Sequence, residues 1–238
     1  MKKERLIGVI GDVHGCYNTL CELYSKLIVH TNEIYTVGDL IDRGSDSKGV
    51  IQFCIDNNIK SVMGNHEDML IKTIRKARHE TVPGYETNLS NWVWNGGDKT
   101  IHSYLGNDSK SFRKFVDEFR DCGHYDFISK LPLKTELGKC IITHGGIIKN
   151  KPLYNVLWNR EIPVKLDKIQ IIGHTSSKEV NYFPNHYINI DTGCVFSGKL
   201  TRIIINDTTR KIVKIISIPI KGIENNYDIF YKIKFSNK

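Results

Sequence analysis

Six short apolar runs in this 238-residue chain end in a residue type able to hold a metal, with glycine beside it. They read LIGVI-GDVHG, EIYTV-GDLIDRG, KSVM-GNHE, CIIT-HGG, IQII-GHT and YINI-DTG. Asp12, His14, Asp39, Asn65, His144 and His174 stand at these ends. The set mixes carboxylate, imidazole and one amide, which suits a divalent first-row metal (Mn, Fe or Zn) better than calcium, which takes oxygen alone. Six donors with open positions for water and substrate are too many for one tetrahedral ion, so the set predicts two. Paired ions sit roughly 3.5–4 Å apart and clamp the attacking and leaving oxygens of a displacement. Nine of the 19 glycines lie in the short segments that follow these runs, where a missing Cβ lets backbone turn sharply and approach a ligand.

Such residues act together only if the elements carrying them share an edge. An apolar run of four to six residues bounded by glycine reads as a buried strand. In open α/β sheets the carboxyl ends of strands face a common crevice. Residues 16–28 place Leu20, Leu23, Tyr24 and Leu27 on one helical face, which is an amphipathic helix. A second helix is expected over about 46–56, capped by Ser45 or Asp46. A third follows GNHE as EDMLIKTIRKAR, rich in helix formers. Strand and helix in alternation predict parallel βαβ units and an α/β fold.

Residues 80–130 break this rhythm with a Pro83-Gly84 turn, an aromatic stretch NLSNWVWNGGDKT and a helical SFRKFVDEFRDC. They are expected to form a small cap insertion over the site, with Trp92 and Trp94 either lining a groove or packing the cap. From 139 onward the chain reads as strand, closing with an antiparallel hairpin of about 199–205 and 211–218. No repeat or linker divides it, so one domain over 1–238 is expected, with a C-terminal extension from about 219 whose IFYKIKF is a candidate extra strand.

Composition is that of a globular protein, with 40% hydrophobic residues, and no apolar stretch reaches the ~20 residues of a membrane helix. The N-terminal apolar run is too short for a signal peptide and leads straight into GDVHG. A cytoplasmic protein without membrane contact is therefore expected. The six cysteines form no CxxC pair and read as small buried hydrophobes. Net charge is +8, and residues 199–238 hold nine Lys/Arg against three Asp/Glu. That charge would attract nucleic acid or a phosphorylated protein, yet no nucleic-acid-binding motif accompanies it, so a solvated basic face is favoured.

GDVHG, GDLIDRG, GNHE, HGG and GHT, in this order, resemble the phosphoprotein-phosphatase branch of the calcineurin-like metallophosphoesterases. WVWNGGDKT, VLWNRE and YINIDTGCVFSGKLT extend the resemblance to the compact bacterial and phage-lambda-type serine/threonine phosphatases, over residues 6 to about 205. The resemblance implies a β-sandwich of two mixed sheets flanked by helices, with a dinuclear centre at one edge. It implies that Asp12 and His14 bind one metal, that Asn65, His144 and His174 bind the other, and that Asp39 bridges them. A hydroxide shared by the metals would be the nucleophile, with manganese the expected metal. His66 would be the general acid, oriented by Asp42, and Arg43 and Arg160 would fork onto the phosphoryl oxygens, beside Asn65. The implied activity is a protein serine/threonine phosphatase acting on phosphorylated protein or peptide. The alternative is a hydrolase of dinucleoside polyphosphates or nucleic-acid-end phosphates built on the same site.

Other chemistries are excluded by position. A cysteine-based phosphatase needs arginine six residues after its nucleophile, and that place holds Glu22, Leu27, Lys60, Ile128, Gly146 or Leu200. There is no GxxxxGK[ST] loop and no GxSxG elbow. Asp191 in DTGC is expected to bond nearby backbone at a strand end. A surface ion pair with Glu161 is the rival role for Arg160. His30, His79, His102, His124 and His186 fall outside the motifs and read as ordinary surface or core histidines.

Overall fold

The computed structural model describes residues 5–77, 85–108 and 111–221. Two five-stranded mixed sheets pack face to face. The first runs in the order β10-β9-β1-β2-β3, from β1 (Leu6–Ile10), β2 (Ile34–Thr36), β3 (Lys60–Ser61), β9 (Lys199–Asn206) and β10 (Ile212–Pro219). The second runs β4-β5-β6-β8-β7, from β4 (Lys134–Leu137), β5 (Cys140–Thr143), β6 (Ile169–Ile172), β7 (Asn181–Phe183) and β8 (Tyr187–Asn189). The expected two-sheet α/β sandwich is the fold observed.

Period-two alternation in β1 explains the layering. Ile7 and Val9 join Ile142, Ile171, Ile188 and Ile203 in the core between the sheets. Ile10 turns outward to a second core under the helices. Gly8 on that outer face leaves room for Leu27, which a Cβ would meet at 3.0 Å. The outer core is built by α1 (Tyr17–Leu27), α2 (Ser47–Asp56) and α3 (Asn65–Ala77). Asp46, not Ser45, caps α2, accepting from Gly49 N at 2.7 Å.

The six apolar runs divide three and three between the two sheets instead of sharing one. β1, β2 and β3 are mutually parallel in the first sheet, and β5, β6 and β8 in the second. Their carboxyl ends therefore meet across the sandwich at one edge.

The stretch expected to cap the site supplies α4 (Tyr85–Trp92), a π turn at Val93–Gly97, α5 (Asp98–Leu105), α6 (Phe112–Asp121) and α7 (His124–Ser129). Trp92, Phe115, Phe119 and Tyr104 of these helices enter the outer core with α2 and α3. The segment reaches the site residues Asp42 and Arg43 through Trp92, Gly96 and Thr100. The expected final hairpin is β9 with β10, antiparallel. The Pro83-Gly84 turn, His79 and the IFYKIKF strand lie outside the described residues. Among the described residues no helix is long and apolar enough to cross a membrane.

Candidate metal centre

Each predicted donor sits on a turn leaving a parallel strand. Asp12 and His14 follow β1, Asp39 follows β2, and Asn65 and His66 open α3. His144 and His174 follow β5 and β6. All six predicted ligands are buried, none more than 7% exposed. The turns are strained: ten described non-glycine residues have positive φ, and His14, Asp39, Asp42, Arg43 and His174 are five of them. Such backbone costs of order 1–3 kcal/mol per residue and persists where the surrounding fold over-determines it.

Asp39 is the hub. Its Oδ2 lies 3.4 Å from His14 Nε2, 3.4 Å from His144 Nε2 and 3.9 Å from His66 Nε2. Two groups capable of holding a cation share it: His14, Asp39 and His66, and Asp39, His144 and His174. Asn65 Oδ1 is 2.9 Å from His144 Nε2, and Asp12 Oδ2 accepts from His174 N at 3.1 Å. His14 and His144 each point Nδ1 at a backbone carbonyl, Ile41 O and Val37 O, both at 2.8 Å. Nδ1–H held in that way leaves Nε2 for a metal. The donor set fits a pair of divalent cations. The buried Nε2 atoms of His66 and His174 have no hydrogen-bond partner, and the carboxylates Asp12, Asp39 and Asp191 are buried together.

Electrostatics follow from that crowding. Burial and then Asp191 push Asp12 well above the usual carboxylate range. Burial opposes the ionised Asp39 too, but His144 and His66 hold it well below that range. Burial alone would depress His144, yet Asp39 and then Asp12 lift it to about 10. A cation bound here must displace that proton. Burial, then the charge of His144, lowers His174 to about 3.

Asp42 and His66 form the expected pair, with His66 Nδ1 2.6 Å from Asp42 Oδ2. Thr100 Oγ1 and Trp92 Nε1 donate to the same carboxylate at 2.6 and 2.9 Å. Burial raises Asp42, and these two donors pull against it. Trp92, fully buried, thus supports Asp42, whereas Trp94 is 73% exposed. Arg160 donates to His174 O at 3.2 Å instead of pairing with Glu161. Arg43 and Arg160 border a cavity of about 240 Å³ that also reaches Asp12, Asp39, Asn65 and His174.

Two functional contributions were missed. Asp191 bonds nearby backbone as expected, accepting from Gly193 N at 2.9 Å, but it also lines the cavity. Glu67, the last residue of GNHE, carries no sequence signal of its role. Its Oε2 accepts from Asp39 N and Gly64 N, both at 2.9 Å, and its Oε1 from Leu40 N and Ile41 N at 2.8 and 3.3 Å. One buried carboxylate therefore fastens the Asp39 turn to the start of α3. Burial and the Asp39 charge push it up to about 7, against the pull of those N–H groups. An amide nitrogen cannot accept, so Glu67→Gln strands two backbone donors. We expect a loss of about 2–4 kcal/mol, read as a lower urea midpoint at unchanged slope. An unchanged midpoint would show the clasp to be dispensable.

The family model for calcineurin-like phosphoesterases matches residues 5–208. A serine/threonine-protein phosphatase 1 from Salmonella typhimurium is 30% identical over 216 residues, covering 84% of this chain and 92% of the relative. A bis(5'-nucleosyl)-tetraphosphatase PrpE [asymmetrical] from Anoxybacillus flavithermus is 28% identical over 230 residues, covering 81% and 87%. The solved structure of a protein serine/threonine phosphatase from Saccharomyces cerevisiae superimposes with a TM-score of 0.58 at 14% identity, covering 95% of this chain and 82% of that one.

Proposed function

The chain belongs to the calcineurin-like phosphoesterase family, and from that premise we propose that it hydrolyses phosphomonoesters of serine and threonine side chains with two divalent cations, manganese foremost. The observation that carries this reading is Asp39, buried at 2% exposure and shared by two histidine-containing groups. In this reading Asp12 and His14 hold one cation, Asn65, His144 and His174 the other, and Asp39 stands between. The cations, when bound, supply positive charge to the phosphoryl oxygens and activate the attacking water.

The protein's own residues do the rest. Arg43 and Arg160 present guanidinium forks to the non-bridging oxygens, a geometry that suits phosphate. Asp42 holds the His66 ring through Nδ1, leaving Nε2 to carry a proton to the departing ester oxygen. The water oxygen bonds to phosphorus as the ester P–O bond breaks, and the leaving group departs as the alcohol. A cavity of about 240 Å³ suits a phosphoryl group on a short arm, with the rest of the substrate outside it.

A second reading has support of its own: relatives of this chain include asymmetrical bis(5'-nucleosyl)-tetraphosphatases. A phosphate chain could occupy the same cavity with its nucleosides outside. The deciding experiment supplies manganese and compares kcat/KM on a phosphoserine peptide, p-nitrophenyl phosphate and diadenosine tetraphosphate, with and without chelator. We expect chelator-sensitive turnover favouring the peptide. A preference for the dinucleotide would install the second reading, and no turnover of any would defeat both.

A further inference from the structure

Phe196 is a large apolar side chain left 45% exposed, although the two residues before it, Cys194 and Val195, are 2% and 1% exposed. The three form a 3-10 turn after β8, bracketed by the left-handed Gly193 (φ 68) and Ser197 (φ 62). Phe196 N and Gly198 N both donate to Gly193 O, at 2.9 and 3.0 Å. The turn thus anchors two residues in the interior and lifts the third to the rim of the cavity lined by Asp12, His14, Asp39, Asn65 and His174. There the Arg43 guanidinium carbon lies 5.2 Å from the centre of the Phe196 ring.

Arg43 needs such a partner. Its Nη1 sits 2.6 Å from His14 Nε2, and its Nε is buried without a hydrogen-bond partner. Among the described residues no carboxylate is in ion-pair reach of its guanidinium. The His14 contact uses the nitrogen that a metal would take, so in the loaded site the aromatic face is the contact that remains. Behind Arg43 the backbone is closed off, since a Cβ on Gly96 would lie 2.8 Å from Arg43 N. The main chain is therefore fixed, and the long side chain is constrained at its tip by one ring.

We infer that Phe196 is a positioning residue for Arg43, holding the guanidinium by its face so that its N–H edge stays free to fork onto the phosphoryl group. A cation over an aromatic face is attracted by the ring quadrupole, more strongly when water is excluded. The inference rests on the phosphoesterase reading above, but it concerns the phosphoryl grip and is indifferent to which phosphate ester is the natural one.

The test is a double-mutant cycle on the full chain loaded with manganese. Phe196→Leu is expected to lower kcat/KM and to weaken inhibition by inorganic phosphate, each roughly 3- to 30-fold. Phe196→Met, apolar but without a ring, should match it, and Phe196→Tyr should restore both values. In an Arg43→Ala background, Phe196→Leu should cost nothing further in phosphate inhibition. The loss should be equal for a phosphoserine peptide and p-nitrophenyl phosphate, because both share the phosphoryl group. Additive losses in the cycle, failure of Tyr to rescue, or a loss confined to the aryl substrate would overturn the inference. Failure of the functional reading would look different, as wild-type protein that turns over no phosphate ester.

Discussion

Asp39→Asn is expected to lower turnover of phosphate esters by about 10³-fold or more and to strip bound metal from the protein. Removing a group that merely orients a ligand costs 10–100-fold, and Asp39 belongs to both histidine-containing groups able to hold a cation. The substitution is close to isosteric. Asn keeps an oxygen able to accept from His66 N, as Asp39 Oδ1 does at 3.1 Å, so α3 should still start in place. What disappears is the charge facing His14 and His144. Metal content by elemental analysis should fall with activity, whereas the circular dichroism spectrum should not change. Full metal occupancy in an inactive variant would refute the bridging assignment.

The same substitution has a signature in the metal-free protein. Asp39 raises His144 to about 10 against an ordinary 6.5. Stability from a raised histidine is complete below the unfolded value and is lost as pH climbs through the folded one. Metal-free Asp39→Asn should therefore be more destabilised, relative to wild type, at pH 6 than at pH 10. Equal penalties at the two values would show that His144 carries no proton beside Asp39.

Much of this was legible because each predicted ligand stands where an apolar run stops. Val9-Ile10 before GDVHG and Ile171-Ile172 before GHT announce both a buried strand and the place where it must turn. The order of ligands along the chain then follows the order of strand ends. How the runs distribute between sheets was not legible, since β1 and β6 are equally apolar and periodicity does not name a partner. Antiparallel β9, inserted beside β1 from nearly 200 residues away, is a pairing that local pattern cannot see.

The supporting residues escaped for a related reason. Glu67 resembles any solvent-facing glutamate near a helix start, and its role appears only when the Asp39 turn folds back to offer three N–H groups. Trp92 and Thr100 belong to a stretch with helical composition. Their value lies in reaching Asp42, a residue some 50 positions earlier. Long-range polar contacts leave no periodic trace in a sequence, whereas strand ends do.

His66→Asn separates two roles that the geometry alone leaves together. His66 Nε2 belongs to a group able to hold a cation with His14 and Asp39, and it is also the nitrogen left free by the Asp42 bond. A ligand and a proton donor fail differently. As an acid, His66 should matter in proportion to how badly the leaving group needs a proton. Turnover of an alkyl ester such as phosphoserine should fall about 10²–10⁴-fold, with metal content intact. An activated aryl ester, whose oxygen departs without protonation, should lose far less. As a ligand, His66 would take metal with it, and both esters would suffer alike. The ground state of the ring argues for a proton that arrives with substrate. Burial, only partly offset by Asp39, holds His66 down to about 3, so the free site carries it neutral. A phosphoryl dianion beside Nε2 favours the charged ring by simple attraction, and Asp42 at 2.6 Å from Nδ1 is placed to stabilise it. Asp42→Asn should then reproduce the leaving-group dependence of His66→Asn in weaker form, because the ring keeps its place but loses the charge that helps it hold a proton. Equal losses on alkyl and aryl esters in both variants would remove His66 from proton transfer and return it to the metal.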